Sequence, residues 1–289
     1  MDTSYVIITP VRDEEAYLRF TMESVVRQTV RPAEWMIVND GSADGTGEII
    51  DQYAREHAWI RALHRSNRGF RKSGGGVVEA FDEGLAALAC RDWDFIVKLD
   101  GDLSFEPDYF EKCFAHFQSD RRLGVGGGVI HNLMQDGHTQ LEGGPAFHVR
   151  GATKIFRREC WQDIGGFWPA PGWDTLDEVK ANMKGWSTRS FSELALTHYR
   201  ITGAADGRWR NLVKNGKSDF ISGYHPLFMI AKCISRLACR PYVLGSAALA
   251  YGFVKGYLTG TPQVNDRELI RYLRSQQLGR LWGGATIWR

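Results

Sequence analysis

Short apolar segments alternate with amphipathic segments over the first hundred residues of the chain. Apolar runs at residues 5–8, 35–38, 60–64 and 95–99 predict buried strands. Between them, apolar residues recur at helical spacing, which predicts helices over residues 14–28, 46–57 and 77–88. Strands that alternate with helices need crossover connections, so the pattern predicts an α/β fold with a largely parallel sheet.

The pattern is mixed beyond residue 102. Residues 124–130 and 147–149 are predicted as strands, and residues 158–164 as a short helix. A further helix is predicted over residues 175–184, with Asp174 or Thr175 as its cap and Gly185 as its end. From about residue 219 the chain is predicted to be helical and apolar, with basic residues interspersed.

Polar loops follow each of the first four predicted strands, at residues 9–14, 39–42, 67–72 and 100–102. In open α/β sheets, ligands bind outside the carboxyl ends of the strands. The four loops are therefore expected to line one crevice.

The turn Asp100-Gly101-Asp102 is the most informative of these loops. Two carboxylates one residue apart on a turn are able to share a hard divalent cation, and oxygen ligands favour Mg²⁺ or Mn²⁺, which usually also bind substrate phosphate oxygens. Such an ion neutralises the charge that builds up on a departing diphosphate. The sequence therefore predicts a Mg²⁺ or Mn²⁺ site at Asp100 and Asp102.

The other loops carry candidate nucleotide contacts. Asp40 is expected to accept a hydrogen bond from a nucleobase, with Thr9 and Pro10 lining the base pocket, and Glu14 to hold ribose hydroxyls. A turn-forming role for Asp40 and a helix-dipole role for Glu14 are the alternatives. Basic side chains in the first and third loops are candidates for contact with the nucleotide or diphosphate, or else surface charges; they are Arg12, Arg68, Arg71 and Lys72.

These motifs resemble those of the inverting glycosyltransferases of family 2, which have the GT-A fold. The resemblance is carried by the segments VIITPVRDEEAYL, EWMIVNDGSADGTGEII and FIVKLDGDLSF, and it covers roughly residues 4–200. It implies displacement of a nucleoside diphosphate from a sugar by an acceptor hydroxyl, with Asp100 and Asp102 as the family's Asp-x-Asp metal site. UDP is the default nucleotide, with GDP and dTDP open.

The family also has a Glu-Asp pair at the start of a later helix, in which the Asp is the general base. In this chain the matching segment places Asp174 in the base position and Trp173 where the family usually has Glu. Asp177 and Glu178 are rivals, displaced by about one helical turn. A base must reach the acceptor hydroxyl, and Asp174 at the mouth of the helix meets that requirement better.

By the same resemblance, His198 is expected to contact the metal or the diphosphate, with a purely structural histidine as the alternative. Arg200 and the set Arg208, Trp209 and Arg210 are candidates to close over the diphosphate. Processive members carry Gln-x-x-Arg-Trp in this region, and this chain lacks that Gln. We therefore expect addition of a single sugar.

Charge divides the chain into two regions. Residues 1–206 have 23 Lys and Arg against 31 Asp and Glu, whereas residues 207–289 have 13 against 3. We predict a GT-A catalytic domain over 1–206 and a basic, apolar helical region over 207–289. That region is interpreted as a helix lying in an anionic membrane interface, with plain packing on the catalytic domain or a true span as alternatives.

If the interface prediction holds, the acceptor is a lipid-linked glycan at the inner face of the membrane, in surface polysaccharide assembly. Five scattered cysteines without CxxC spacing, and the lack of a secretory signal, favour a cytoplasmic protein that is peripheral to the membrane. Nucleic-acid binding is not expected, because the basic residues concentrate in the apolar tail.

Three other function classes fit the sequence less well. A nucleotidyltransferase would have a Gly-rich phosphate loop after the first strand, where this chain has Thr9-Pro10-Val11-Arg12. A dinucleotide-binding oxidoreductase would have the motif GxGxxG after the first strand, and this chain has no such motif after Ile8. A non-catalytic nucleotide- or glycan-binding module is disfavoured by the retention of Asp102 and Asp174.

Overall fold

The computed structural model describes residues 3–70, 74–134, 136–200, 207–238 and 241–288. Strands and helices alternate over the first hundred residues, and only helices follow residue 207 within the described ranges. The strands are β1 (Tyr5–Val11), β2 (Glu34–Asn39), β3 (Ile60–His64), β4 (Phe95–Leu99), β5 (Leu103–Phe105), β6 (Leu123–Leu133), β7 (Thr139–Leu141), β8 (Thr153–Arg157) and β9 (Ser187–His198). The helices are α1 (Leu18–Val26), α2 (Thr46–Glu56), α3 (Gly75–Ala87), α4 (Tyr109–Ser119), α5 (Arg158–Ile164), α6 (Trp173–Met183), α7 (Arg208–Ile221), α8 (Pro226–Arg236), α9 (Tyr242–Leu258) and α10 (Arg267–Leu281).

The strands form one mixed sheet in the order β3-β2-β1-β4-β8-β6-β9-β5, with β7 beside β6. The first four strands along this order are parallel, as the alternating pattern predicts. Antiparallel pairing begins at β4 and β8, and β6 and β9 form a further parallel pair. The predicted α/β fold with a mixed sheet is confirmed, and its parallel part holds all four predicted ligand loops.

Strand β1 does not stop before Thr9 and Pro10, as the sequence predicted, but continues to Val11. The pairing of β1 with β4 ends at Ile8, so Pro10 has only β2 as a neighbour, with Val38 in register. A proline in a strand is tolerated where its missing N–H has no partner to serve, as on the open side of a strand. The loop that follows β1 is therefore shorter than predicted.

The prediction of a strand over residues 147–149 is wrong. The N–H of Val149 donates to a carboxylate oxygen of Glu178 at 2.7 Å, and the N–H of His148 donates to the carbonyl of Pro145 at 3.0 Å. The pairing partner of β4 and β6 in this part of the sheet is β8, which the sequence analysis did not predict. Two charged side chains, Lys154 and Arg157, interrupt its apolar pattern.

Hydrophobic cores lie on both faces of the sheet. One contains Ile7, Trp35 and Phe110, and the other contains Ile8, Phe81 and Trp161. A third cluster joins Leu176 and Val179 of α6 to apolar residues of α7 to α10. The helical C-terminal region thus shares a core with α6. The domain boundary at residues 206/207 remains a prediction.

No helix in the described part of the chain has both the length and the apolar character required to cross a bilayer. The most apolar segment of the sequence forms α9, which has 17 residues and contains Lys255.

Candidate active site

Asp40 lies at the end of β2 and is held by two arginines that follow β3. Its Oδ1 accepts a hydrogen bond from Arg65 Nη1 at 2.5 Å, and its Oδ2 accepts one from Arg68 Nη2 at 2.5 Å. The structure therefore brings the predicted residues Asp40 and Arg68 together. Arg65 was not predicted, although its place directly after a strand was a usable signal.

Arg12 connects the loops that follow β1, β2 and β3. Its guanidinium donates to the carbonyl of Asp40 at 3.2 Å and to the side-chain oxygen of Asn67 at 3.0 Å. Because Arg12 is mostly buried, these contacts fix the relative position of the three loops. The predicted convergence of the first three loops is thus present.

Thr9 does not line this crevice with its side chain. The residue is fully buried, and its hydroxyl accepts a hydrogen bond from the indole N–H of Trp35 at 2.9 Å. The predicted contact between the Thr9 side chain and a base is therefore corrected, because that side chain belongs to the core. Pro10 is partly exposed.

The Asp100-Gly101-Asp102 turn follows β4, as predicted. The carboxylate of Asp100 is bound by the ammonium of Lys98, which also donates to the carbonyl of Gly151 at 2.6 Å. A Cβ on Gly101 would lie 2.5 Å from Cγ1 of Val11, so only glycine fits between the two acids. Partial burial and the nearby Asp102 carboxylate raise the pKa of Asp100, although the Lys98 ammonium acts in the opposite direction.

His198 ends β9 and faces Asp102 across the end of the sheet. Its Nε2 lies 3.1 Å from Oδ2 of Asp102, and its Nδ1 lies 3.1 Å from the side-chain oxygen of Asn132. Burial lowers the pKa of His198, but the hydrogen bond with Asp102 and the charges of both acids outweigh it, so the pKa is raised. The contact with a metal or diphosphate that the resemblance implies for His198 remains a prediction.

Asp102 and His198 are the two predicted metal ligands that the structure brings into contact, whereas the Asp100 carboxylate is turned to Lys98. Within the described ranges, no group of three or more His, Cys, Asp or Glu side chains is placed to hold a metal ion. The Asp102 carboxylate nonetheless suits Mg²⁺ or Mn²⁺, since these ions usually take one or two protein carboxylates together with substrate phosphates, and the His198 imidazole, a softer donor, favours Mn²⁺ of the two. The donor set therefore fits an ion shared with a diphosphate.

Arg200 links the first loop to the acidic turn. Its Nη2 donates to Oε2 of Glu14 at 2.7 Å and to the carbonyl of Asp13 at 3.0 Å, and its Nε lies 4.0 Å from Oδ2 of Asp102. Both predicted residues, Glu14 and Arg200, therefore reach the same corner of the crevice. The Glu14 carboxylate, predicted to bind ribose, is paired with the guanidinium.

Asp174 lies in the first turn of α6, whose cap is Gly172. The sequence predicted that Asp174 or Thr175 would be the cap, and this was wrong because the helix begins earlier. Asp174 is partly exposed, and a Cβ on Gly151 would lie 3.4 Å from its Cβ. Gly151 is also the residue whose carbonyl Lys98 binds, so Asp174 lies close to the Asp100 turn.

The two rivals of Asp174 are buried and already paired. Asp177 and Glu178 are 2% and 0% exposed, and both carboxylates bind the ammonium of Lys154, at 2.8 and 2.9 Å. Burial raises the pKa of Asp177 to about 7, against the effect of Lys154. Neither carboxylate is accessible to an acceptor hydroxyl, so the geometry favours Asp174.

Trp173 takes the place of the family's Glu and packs between two lysines. Its ring centre lies 5.5 Å from the ammonium of Lys98 and 5.8 Å from that of Lys154, within the range of cation–π attraction. The substitution thus leaves an aromatic face where an acid is usual, next to two cations.

Some predicted residues have no described position. Arg71 and Lys72 lie outside the described residues, as does the side chain of Arg208. Trp209 and Arg210 are exposed at the start of α7. Their predicted closure over a diphosphate remains a prediction.

The family model described as glycosyl transferase family 2 matches residues 6–170, which include the loops after β1 to β4. The chain belongs to glycosyl transferase family 2. The family predicted from the resemblance is confirmed. EpsH of Bacillus subtilis strain 168 is 34% identical over 106 residues, which cover 37% of this chain and 28% of EpsH. The chain therefore matches well under two thirds of this relative's length.

Two solved structures show the same fold at low sequence identity. The mannosyltransferase PcManGT from Pyrobaculum calidifontis, in complex with GDP-Man and Mn²⁺, aligns with a TM-score of 0.58 and 13% identity over 97% of this chain and 88% of its own. GalNAc-T7, with UDP, GalNAc and Mn²⁺, aligns with a TM-score of 0.60 and 14% identity over 99% of this chain and 55% of its own. The GT-A fold predicted by resemblance is confirmed.

Proposed function

We propose that the protein transfers one sugar from a nucleoside diphosphate donor to an acceptor hydroxyl with inversion, and that Asp174 is the general base. The observation that carries this proposal is the position of Asp174. It is the accessible acid at the start of α6, and Gly151 separates it from the Asp100 turn. A base close to the acidic turn is the arrangement that an in-line displacement of the diphosphate requires.

The donor is proposed to lie across the four loops. Asp40 accepts from the nucleobase, Arg12 and Arg68 hold the loops around it, and Arg200 faces the diphosphate. UDP is the first candidate, and GDP and dTDP are its competitors. PcManGT binds GDP-Man and GalNAc-T7 binds UDP, so the fold accommodates both kinds of nucleotide.

Asp102 and His198 would hold Mg²⁺ or Mn²⁺, and Asp100 completes the acidic turn. Such an ion supplies positive charge to the departing diphosphate. Both similar structures contain Mn²⁺, which agrees with this donor set.

The chain's own residues account for the displacement. The Asp174 carboxylate takes the proton of the acceptor hydroxyl while the oxygen of that hydroxyl bonds to the anomeric carbon. The bond from that carbon to the diphosphate oxygen breaks, and its electron pair leaves with the diphosphate, beside Arg200. One displacement inverts the anomeric configuration.

Two variants test this proposal separately. Asp102→Ala is expected to abolish the Mn²⁺-dependent part of UDP or GDP binding, measured by calorimetry with and without the ion. Asp174→Asn is expected to keep that binding and to lower kcat for nucleoside diphosphate release by about 100-fold or more, in the range of general base catalysis. Unchanged metal-assisted affinity in the first variant, or unchanged turnover in the second, would refute the corresponding assignment.

The acceptor is proposed to be a lipid-linked glycan, reached from the cytoplasmic face of a membrane in surface polysaccharide assembly. Helices α8 and α9 expose apolar side chains that are at least half accessible, here called the outer apolar face: Ile230, Ile234, Val243, Leu244, Val254 and Leu258. Exposed apolar patches beside basic residues favour an anionic membrane interface. The excess of 13 basic over 3 acidic residues beyond residue 206 supports this proposal.

The C-terminal helices also reach the start of α6. A Cβ on Gly172 would lie 2.5 Å from the hydroxyl oxygen of Ser222 and 2.7 Å from that of Ser218. The end of α7 therefore packs against the residue two positions before Asp174.

A further inference from the structure

Four ionisable side chains are buried together beneath α6. Lys154 projects from β8, Asp177 and Glu178 lie on α6, and His148 lies in the segment before β8. Lys154 and Glu178 are fully buried, and Nδ1 of His148 lies 2.8 Å from Oε2 of Glu178. None of these groups has a part in the proposed displacement.

The ammonium of Lys154 makes contacts that use all of its protons. It donates to both oxygens of the Asp177 carboxylate, at 2.8 and 2.9 Å, and to the backbone carbonyl of Asp174, and it forms an ion pair with Oε1 of Glu178 at 2.9 Å. An ammonium has three protons, so its hydrogen-bonding capacity is filled by Asp177 and Asp174 of α6. Lys154 is thus attached to the first turn of the helix at the residue proposed as the base.

A buried ammonium with these partners is held rigidly. Removing one member of a buried ion pair leaves an uncompensated charge, so the partners relax or draw in water. Here the partners flank Asp174, and the released carbonyl belongs to Asp174 itself. A displacement of about 1 Å in a reacting group is enough to lower a rate by about 100-fold.

We infer that Lys154 is a positioning residue, which holds the backbone of Asp174 so that its carboxylate faces the acceptor hydroxyl. This inference rests on the proposed function of Asp174. Within the described residues, Lys154 has no hydrogen bond or ion pair with a donor loop, so its loss is expected to leave the donor affinity nearly unchanged. The nearest links are Lys98, which is paired with Lys154 across β4 and β8 and binds the Asp100 carboxylate, and Trp173, whose ring lies between the two ammonium groups.

Three variants separate positioning from stability. Lys154→Met removes the ammonium, and the double variant Lys154→Met/Asp177→Asn also removes the acid that would be left unpaired. Arg157→Met is the matched control, since Arg157 is on the same strand and its guanidinium binds main-chain carbonyls of Phe117 and Leu123, at 2.6 and 3.1 Å. The probe is nucleoside diphosphate release from UDP-N-acetylglucosamine or GDP-mannose with Mn²⁺, whichever the wild type turns over faster.

Lys154→Met is expected to lower kcat at least 30-fold, with the donor KM and the affinity for Mn²⁺ and UDP or GDP within threefold of wild type. The double variant is expected to recover thermal stability but not kcat. Arg157→Met is expected to lose stability and keep kcat within threefold. Recovery of kcat in the double variant, or an equal loss of kcat in Arg157→Met, would overturn the inference and assign Lys154 a purely structural role.

A second readout does not depend on turnover. Hydrogen exchange of a peptide covering residues 173–178 is expected to be at least tenfold faster in the double variant than in wild type, and unchanged in Arg157→Met. Equal exchange in all three proteins would show that Lys154 does not hold the first turn. Failure of the proposed function is distinguishable, because Asp174→Asn would then retain full turnover while these exchange rates still report on Lys154.

Discussion

Each oxygen of the Asp40 carboxylate accepts a hydrogen bond from one arginine, Arg65 or Arg68. These two hydrogen bonds fix the orientation of the carboxylate, which we expect to accept a further hydrogen bond from a nucleobase N–H. Asp40→Asn replaces one acceptor oxygen by an amide donor. We expect about a tenfold loss of UDP affinity, since one hydrogen bond to a charged group is worth about 1.5–3 kcal/mol and part of it is recovered by water. Calorimetry with UDP and with pyrophosphate, each with Mn²⁺, measures the affinity of wild type and variant for the two ligands.

The affinity for pyrophosphate is expected to stay within twofold, because it lacks the base. Equal losses for both ligands would mean that Asp40 acts only by holding Arg65 and Arg68. The exposed variant Asp51→Asn, on α2, is the control.

His148 gives the buried cluster a dependence on pH. Burial lowers its pKa, but the Glu178 carboxylate at 2.8 Å outweighs this, so the folded-state pKa is raised above the usual value of about 6.5. The stabilisation from His148 is therefore fully present below about pH 6.5 and is lost as the pH rises through the raised pKa. The difference in unfolding free energy between wild type and His148→Gln should shrink from pH 6 to pH 9 in urea titrations.

A difference that stays constant or grows with pH would contradict this assignment. The exposed His138 offers the control, since His138→Gln is expected to change the unfolding free energy by less than about 0.5 kcal/mol at every pH.

Candidate site residues that lie in recognisable turn or helix-start motifs were predicted from the sequence. Residues whose partners are distant in the sequence were not. Asp40, Asp100, Asp102 and Asp174 all follow strands or open a helix, and a motif surrounds each. Lys98 and Lys154 lie inside strands, where a charged residue only weakens an apolar pattern. Their partners are at residues 100, 151, 174, 177 and 178, and only the fold brings these together.

At the scale of elements, β2 and β4 of the parallel half were predicted closely because both of their faces are buried. β2 and β4 are buried along their whole length, so their apolar runs are unbroken. The second half of the sheet was harder. The long strands β6 and β9 contain glycines or alternating polar residues, and in the segment before β8 a carboxylate of α6 takes the place of a strand partner.

Helices α7 and α9 pack with their backbones in close contact at glycines, which sequence alone did not indicate. A Cβ on Gly252 would lie 2.0 Å from the carbonyl oxygen of Val213, and one on Gly216 would lie 2.0 Å from that of Leu249. Gly252→Ala forces the backbones apart and is expected to lower the unfolding free energy by about 2 kcal/mol or more, as overpacking does. Chemical denaturation measures this.

Gly143→Ala is the control, because a Cβ there has nothing within 4 Å, and a change of less than about 0.5 kcal/mol is expected. Equal stability of both variants and wild type would mean that α7 and α9 separate at little cost.

At the scale of the whole molecule, charge and packing divide the chain differently. The acidic balance changes to basic near residue 206, whereas the hydrophobic cluster of the C-terminal helices includes Leu176 and Val179 of α6. A chain cut at the charge boundary would expose part of α6. The C-terminal helices therefore support the helix of Asp174, and a test of their surface must leave the chain whole.

Point variants of the outer apolar face test membrane binding without shortening the chain. Val243 and Leu244 are about two-thirds exposed at the start of α9, and Val243→Glu/Leu244→Glu adds two negative charges where anionic headgroups would lie. Vesicle flotation is expected to show binding of wild type to anionic vesicles at 0.1 M NaCl, weaker binding at 0.5 M as screening increases, and at least a tenfold loss in the double variant.

Leu141→Glu is the control, because Leu141 is about half exposed and lies on β7, outside the C-terminal helices. It is expected to bind vesicles like wild type. If all three proteins partition equally, or bind neutral and anionic vesicles alike, the outer apolar face has another partner, and the acceptor need not be at a membrane. Because these residues are exposed and have no part in the proposed displacement, turnover of a soluble probe should be unaffected in either case.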